Sequence, residues 1–228
     1  MSSRALKNQL RNLLSQPNQT EAHRCVLEMP LKQVVSPLFS FLYAGDDIIK
    51  WHAVTLLGLV VAEIANTNLE AARVVMRRLM WNLNDESGGI GWGSPEAMGE
   101  IMARNDALAR EYSSILISYI RKDGNYLEHE MLQRGVLWGI GRLSHARPVL
   151  MKKIIPSLIP YITAKDPNIR GLAVWIAAAL PSSQLVRHIE KLKEDETVIR
   201  LYLNEQLAEC PISRLAKSTF AKYVRKNY

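Results

Sequence analysis

The sequence predicts an all-α protein, an α-α superhelix of about five stacked helical hairpins with capping segments at both ends. Apolar residues recur at three- and four-residue spacing along most of the 228 residues. Short polar or Pro/Gly stretches interrupt those runs, and no convincing strand alternation appears between them. One acidic-to-basic pattern also returns at the start of several helices, the mark of an internally repeated unit.

Taken in order, residues 3–15 form an amphipathic helix with Leu6, Leu10, Leu13 and Leu14 on one face. Hairpins then pair 31–43 with 47–65, 68–82 with 94–103, 106–121 with 126–143, 147–163 with 166–179, and 182–193 with 195–208. A last helix spans about 213–225 and opens at Ser213. Asn105-Asp106, Ser182-Ser183 and Ser94-Pro95 mark further helix starts, the last with proline in the first turn, where its missing N–H costs nothing. The chain is thus read as one domain: an N-terminal cap at 1–30, repeats at 31–210 and a basic C-terminal cap at 211–228.

The repeat is explicit in the residues. Asp46-Asp47-Ile48-Ile49-Lys50 aligns with Asp166-Pro167-Asn168-Ile169-Arg170. Leu38 and Leu42 upstream then fall on Leu158 and Ile162, and Ala53, Leu56 and Leu57 downstream fall on Ala173, Ile176 and Ala177. A weaker copy reads Glu196-Thr197-Val198-Ile199-Arg200. This pattern resembles the second helix of a HEAT repeat, and the resemblance covers most of 31–210. It implies a HEAT-like (armadillo-type) solenoid in which the Asp caps the turn and the Arg or Lys joins a ladder along the stack. Stacking is also what physics requires, because a helix pair of this size cannot bury its apolar faces alone.

Composition narrows the function. The two cysteines, Cys25 and Cys210, lie far apart without a CxxC, which argues for a reducing compartment, with the cytoplasm as the default, and against a structural zinc. No apolar run approaches the length needed to span a bilayer and no secretory signal is evident, so no membrane partner is expected. The net charge is +7. Arg4, Lys7 and Arg11 at one end and Arg214, Lys217, Lys222, Arg225 and Lys226 at the other account for more than all of it, since neither end carries an acid. The body is therefore slightly acidic, whereas a nucleic-acid groove needs its cations along the body to neutralise phosphates.

The second hairpin breaks the pattern with Asn84-Asp85-Glu86-Ser87-Gly88-Gly89-Ile90-Gly91-Trp92-Gly93-Ser94-Pro95-Glu96. Four glycines are more than a bare connector needs, and breaks in local rules tend to mark function or strain. The loop also resembles a feature of uncharacterised bacterial HEAT-like proteins. From Leu79 to Ala103 there is no Lys or Arg, while Asp85, Glu86, Glu96 and Glu100 are present, so the segment suits a basic peptide, a cation or a metal better than a phosphate. The bland alternative is a long turn over which Trp92 packs.

Aligning the inner helices places Trp138 on Trp175, in a column that also holds Thr55, Glu100 and Glu205. That column is either an aromatic patch or filling between repeats. The binding residues chosen from the sequence are accordingly Asp85, Glu86, Trp92, Glu96, Glu100, Trp138 and Trp175. The expected function is non-enzymatic binding or scaffolding of a protein or peptide, of basic character, by the inner helices and the 84–96 loop. No catalytic residue, metal or cofactor is assigned. Deoxyhypusine hydroxylase, similar in architecture, needs several His-Glu pairs, and His129-Glu130 is the one such pair here. The likeness to phycobilisome bilin lyases rests on generic repeat positions. The alternative is a DNA-binding protein or a relative of the HEAT-like alkylpurine DNA glycosylases, with Trp138, Trp175 and Glu100 around a base and Arg134 and Arg170 on phosphate. A small-molecule or metal sensor at the loop is a third reading.

Overall fold

The computed structural model describes residues 2–84 and 90–226, with no side-chain detail beyond Val224. The helices run α1 (Ser3–Leu14), α2 (Gln19–Leu27), α3 (Leu31–Phe41), α4 (Asp47–Thr67), α5 (Leu69–Trp81), α6 (Ser94–Arg104), α7 (Asp106–Ser118) and α8 (Glu130–Ala146). They continue as α9 (Pro148–Met151), a 3-10 turn (Lys152–Ile154), α10 (Ile155–Ile162), α11 (Pro167–Ala179) and α12 (Ser183–Glu190). Strands β1 (Val198–Leu203) and β2 (Gln206–Pro211) follow, and α13 (Ile212–Lys226) ends the described chain.

Hairpins α3/α4, α5/α6, α7/α8, α10/α11 and α12/α13 stack so that α4, α6, α8, α11 and α13 pack in succession as an inner layer. Asp46, Asn68, Asn105, Asp166 and Ser182 each cap a helix by accepting from the backbone N–H of its second or third residue. The ladder implied by the repeat is present. Lys50 reaches Glu96 at 3.1 Å, Arg134 reaches Asp166 at 2.8 Å and Arg170 reaches Asp195 at 2.8 Å, each bridging one inner-layer repeat to the next. Where α6 crosses α8, Gly99 and Gly139 meet backbone to backbone, leaving no room for a side chain at either.

Three expectations need correction. Residues 195–208 were expected to be a helix and instead form the antiparallel ladder β1–β2, with Leu203 opposite Gln206. The linking residues Asn204 and Glu205 both have positive φ, 48° and 63°, as a two-residue turn with matching strand twist requires. Val198, Ile199 and Tyr202 favour a pleated strand over a helix because branching and rings restrict χ1. The fifth repeat therefore keeps its two helices, α12 and α13, with a β-hairpin inserted between them. Residues 147–163 are broken into α9 and α10 around a 3-10 turn, since Pro156 lacks the N–H that a continuous helix would use. Finally, α4 is long and apolar enough to cross a membrane by length and composition, with a mean hydropathy of 1.7. In the fold it is the central core helix, burying Val54, Leu56, Leu57, Val60 and Val61 against its neighbours.

Candidate binding pocket on the inner face

The inner layer presents a column of Thr55 on α4, Glu100 on α6, Trp138 on α8 and Trp175 on α11, and the tip of the β-hairpin folds back onto it. Between the hairpin and the helices lies a cavity of about 370 Å³. Its walls are that column together with Arg104, Arg142, His145, Tyr202, Leu203, Asn204 and Glu205. The volume falls within the range typical of ligand sites.

Tyr202 anchors the hairpin. Its ring stacks on Trp51 at 4.8 Å and 12°, its hydroxyl shares a hydrogen bond with Thr55 Oγ1 at 3.0 Å, and its carbonyl accepts from Trp138 Nε1 at 3.0 Å. Trp51 and Trp138 are tilted against each other at 4.7 Å, and Trp175 extends the group at 6.1 Å from Trp138. His145 stacks on Trp175 at 5.0 Å, and its Nε2 donates to the Trp175 carbonyl at 3.0 Å. Because a carbonyl can only accept, Nε2 carries the proton, and burial holds the pKa of His145 below its ordinary 6.5. Burial likewise pushes the Tyr202 hydroxyl above its ordinary range, so it stays protonated. At the base of the hairpin, Ile199 lies in the space that the missing side chain of Gly171 leaves, which seats the hairpin against α11.

The charged end is built around Glu100, which is 3% exposed. Arg104 Nε donates to its Oε1 and Arg142 Nε to its Oε2, both at 2.6 Å. Arg142 Nη2 adds a longer contact to Oε1 at 3.5 Å. Two guanidiniums thus share one carboxylate, which is fully engaged, while Arg104 Nη1 and Nη2 and Arg142 Nη1 make no hydrogen bond among the described residues. Glu205 closes the other side at the hairpin tip, with its carboxylate 3.7 Å from His23 Nε2. Desolvation lowers the pKa of His23, partly opposed by the Glu205 charge.

Of the residues chosen from the sequence, Glu100, Trp138 and Trp175 come together here, and Glu205 joins the column from a strand turn instead of a fifth inner helix. Glu96 is buried and paired with Lys50, outside the cavity. Trp92 is half-buried and meets the ring of His129 edge-on at 5.0 Å, near a broader surface groove of about 1110 Å³ that includes Trp81, Tyr126 and His129. Asp85 and Glu86 lie outside the described residues. Gly91 and Gly93 give the loop a concrete reason for glycine. Their φ values are 52° and 74°, and a Cβ on Gly93 would come within 2.9 Å of Leu42 Cβ. Arg134 and Arg170, considered for phosphate, are engaged with Asp166 and Asp195. Sequence reasoning missed Arg104, Arg142, His145 and Tyr202. Arg104 was within reach as the i+4 partner of Glu100. Tyr202 was not, because its segment had been assigned to the wrong periodicity.

No family model matches the chain. An uncharacterised protein of Archaeoglobus fulgidus is 25% identical over 185 residues, spanning 79% of this chain and 92% of that one. Among solved structures, an engineered protein superposes with a TM-score of 0.56 at 14% identity, covering 99% of this chain and 98% of its own. A designed armadillo repeat protein in complex with the peptide (KR)4 superposes with a TM-score of 0.53 at 15% identity, over 94% and 98% of the two chains. The chain has the armadillo/HEAT-type repeat fold. Within that solenoid the β-hairpin of the fifth repeat is what converts an open inner surface into a bounded pocket.

Proposed function

We propose that this HEAT-like solenoid is a binding protein that recognises a polypeptide segment at the inner-face pocket. One observation carries the reading. The inner face already holds an extended segment of this same chain, using the Trp138 indole as a donor to the Tyr202 backbone carbonyl and Trp51 as a stacking platform. Main-chain hydrogen bonds together with pockets for side chains are a general means by which a protein holds an extended peptide. The armadillo-type neighbour bound to (KR)4 uses the same architecture for a peptide. The walls left over, the partly exposed Arg104 and Arg142 and the largely buried Trp175, are the residue types that dominate binding energy where they are desolvated by a partner.

The test is selection from a random dodecapeptide phage library on the wild-type protein, with Trp175→Ala as the counter-target and far-UV circular dichroism as the control for folding. Enrichment of peptides that bind the wild type and lose at least about tenfold in affinity on the variant is the expected result. No enrichment, or peptides that bind both proteins equally, refutes the reading.

A further inference from the structure

We infer that the group recognised in the pocket is a carboxylate, so the partner is an acidic segment; the inference rests on the polypeptide-binding reading above. The argument is one of unspent hydrogen-bonding capacity. Both oxygens of Glu100 already accept from Arg104 Nε and Arg142 Nε, and the carboxylate is buried, so its charge is compensated by two cations and holds little attraction for a third. The same two bonds fix the planes of both guanidiniums while leaving Arg104 Nη1 and Nη2 and Arg142 Nη1 without an acceptor among the described residues. Side-chain exposures of 27% and 31% show that these cations are held at the cavity wall and have not escaped into open water.

A carboxylate is the natural complement. Arg presents a planar fork matched to a carboxylate's two oxygens, and charged hydrogen bonds of this kind are about twice as strong as neutral ones. Glu100 acts as the positioning residue, pre-organising both donors before the ligand arrives. The net charge of the Arg104–Glu100–Arg142 group is one positive unit, which an incoming carboxylate neutralises. Glu205 does not contradict this assignment. It sits at the hairpin tip beside His23 and lines the same cavity, so the formal charge of the lining is zero, recognition rests on the open arginine N–H groups, and Glu205 can accept from a peptide N–H. Trp138, Trp175 and Tyr202 supply the apolar wall for the stem of the acidic side chain or for its neighbour. The expectation of a basic partner, drawn from the acids at 85–100, therefore gives way to its opposite at this site.

The composition of the peptides selected from the dodecapeptide library decides the matter, together with titration of the winners against Arg104→Gln and Arg142→Gln. Each variant leaves Glu100 paired to the other arginine, and melting temperature reports that the fold is kept. Winners that carry Asp, Glu or a free C-terminus, and that lose about tenfold or more in affinity on either variant, support the inference. Replacing the acid by its amide must cost a similar factor, and amidated C-termini then separate a side-chain carboxylate from a terminal one. Winners that are basic or apolar, with affinity unchanged in both variants, overturn the carboxylate assignment while leaving peptide binding intact. Acidic winners indifferent to both arginines also overturn it, since they would be held by the basic chain ends. An empty selection overturns both readings together.

Discussion

Replacing Tyr202 by alanine, with phenylalanine as the comparison, tests whether the hairpin is docked as described. Tyr202 is 2% exposed, with its ring stacked on Trp51 and close to Trp138, and its hydroxyl bonded to Thr55. Removing a buried aromatic ring costs about 3–5 kcal/mol through lost transfer energy and the cavity left behind. Here the new space would join the existing cavity and fill with water, so the lower end of that range, about 3 kcal/mol, is expected. Tyr202→Phe keeps the stack and loses only the hydroxyl pair with Thr55, about 1 kcal/mol, the usual net worth of a neutral hydrogen bond. Urea unfolding followed by circular dichroism measures both free energies directly. In thermal melts each kcal/mol corresponds to about 2–4 °C for a chain of this size, so alanine lowers the midpoint by roughly 6–12 °C and phenylalanine by roughly 2–4 °C. The tryptophan emission should also shift red in the alanine variant, because Trp51 and Trp138 lose their cover. If the two substitutions agree within about 0.5 kcal/mol, the ring is not packed against the inner face. The hairpin would then not be a wall of the pocket.

Other substitutions probe the turn, the loop and the histidines. Glu205→Gly removes a non-glycine residue from φ 63°, a conformation costing roughly 1 kcal/mol, and should leave stability unchanged or raised by up to that amount in urea unfolding. A clear loss would show that the carboxylate at the hairpin tip is structural. Gly93→Ala places a Cβ at φ 74° within 2.9 Å of Leu42 Cβ and should cost about 1–3 kcal/mol, whereas a neutral result would refute the described loop backbone. His145 and His23 both have folded-state pKa values below the ordinary 6.5, so folding favours their neutral forms. The unfolded chain then binds more protons than the native one, and the stability they contribute is present above pH 6.5 and lost as the pH falls through the lowered values. His145→Gln should flatten the fall in urea midpoint between pH 7 and pH 5, and an unchanged slope would remove His145 as its source.

Most of the helices and their order were legible in the sequence because they depend on local chemistry. Asp46 and Asp166 cap inner helices in the structure as the repeat pattern implies, and Lys50, Arg134 and Arg170 reach an acid in the next repeat because a fixed spacing fixes a fixed face. The inner column followed from the same periodicity, which is why Thr55, Glu100, Trp138 and Trp175 meet in one cavity. The segment 198–211 resisted that logic. Its Glu196-to-Arg200 pattern copies a helix start, and only Asn204-Glu205 between alternating apolar residues hints at a hairpin. Strand pairing is a contact between residues set apart in the chain, and this hairpin is further held by Trp51, Thr55 and Trp138, which the local sequence cannot see. The charge of the site was equally non-local. Glu100 reads as a free acid in a stretch without bases, yet Arg142, 42 residues away, and Arg104 consume both its oxygens. Residue types and spacing determined the stack, and tertiary packing alone decided which charges remain unspent, because electrostatic partners are chosen by distance in space.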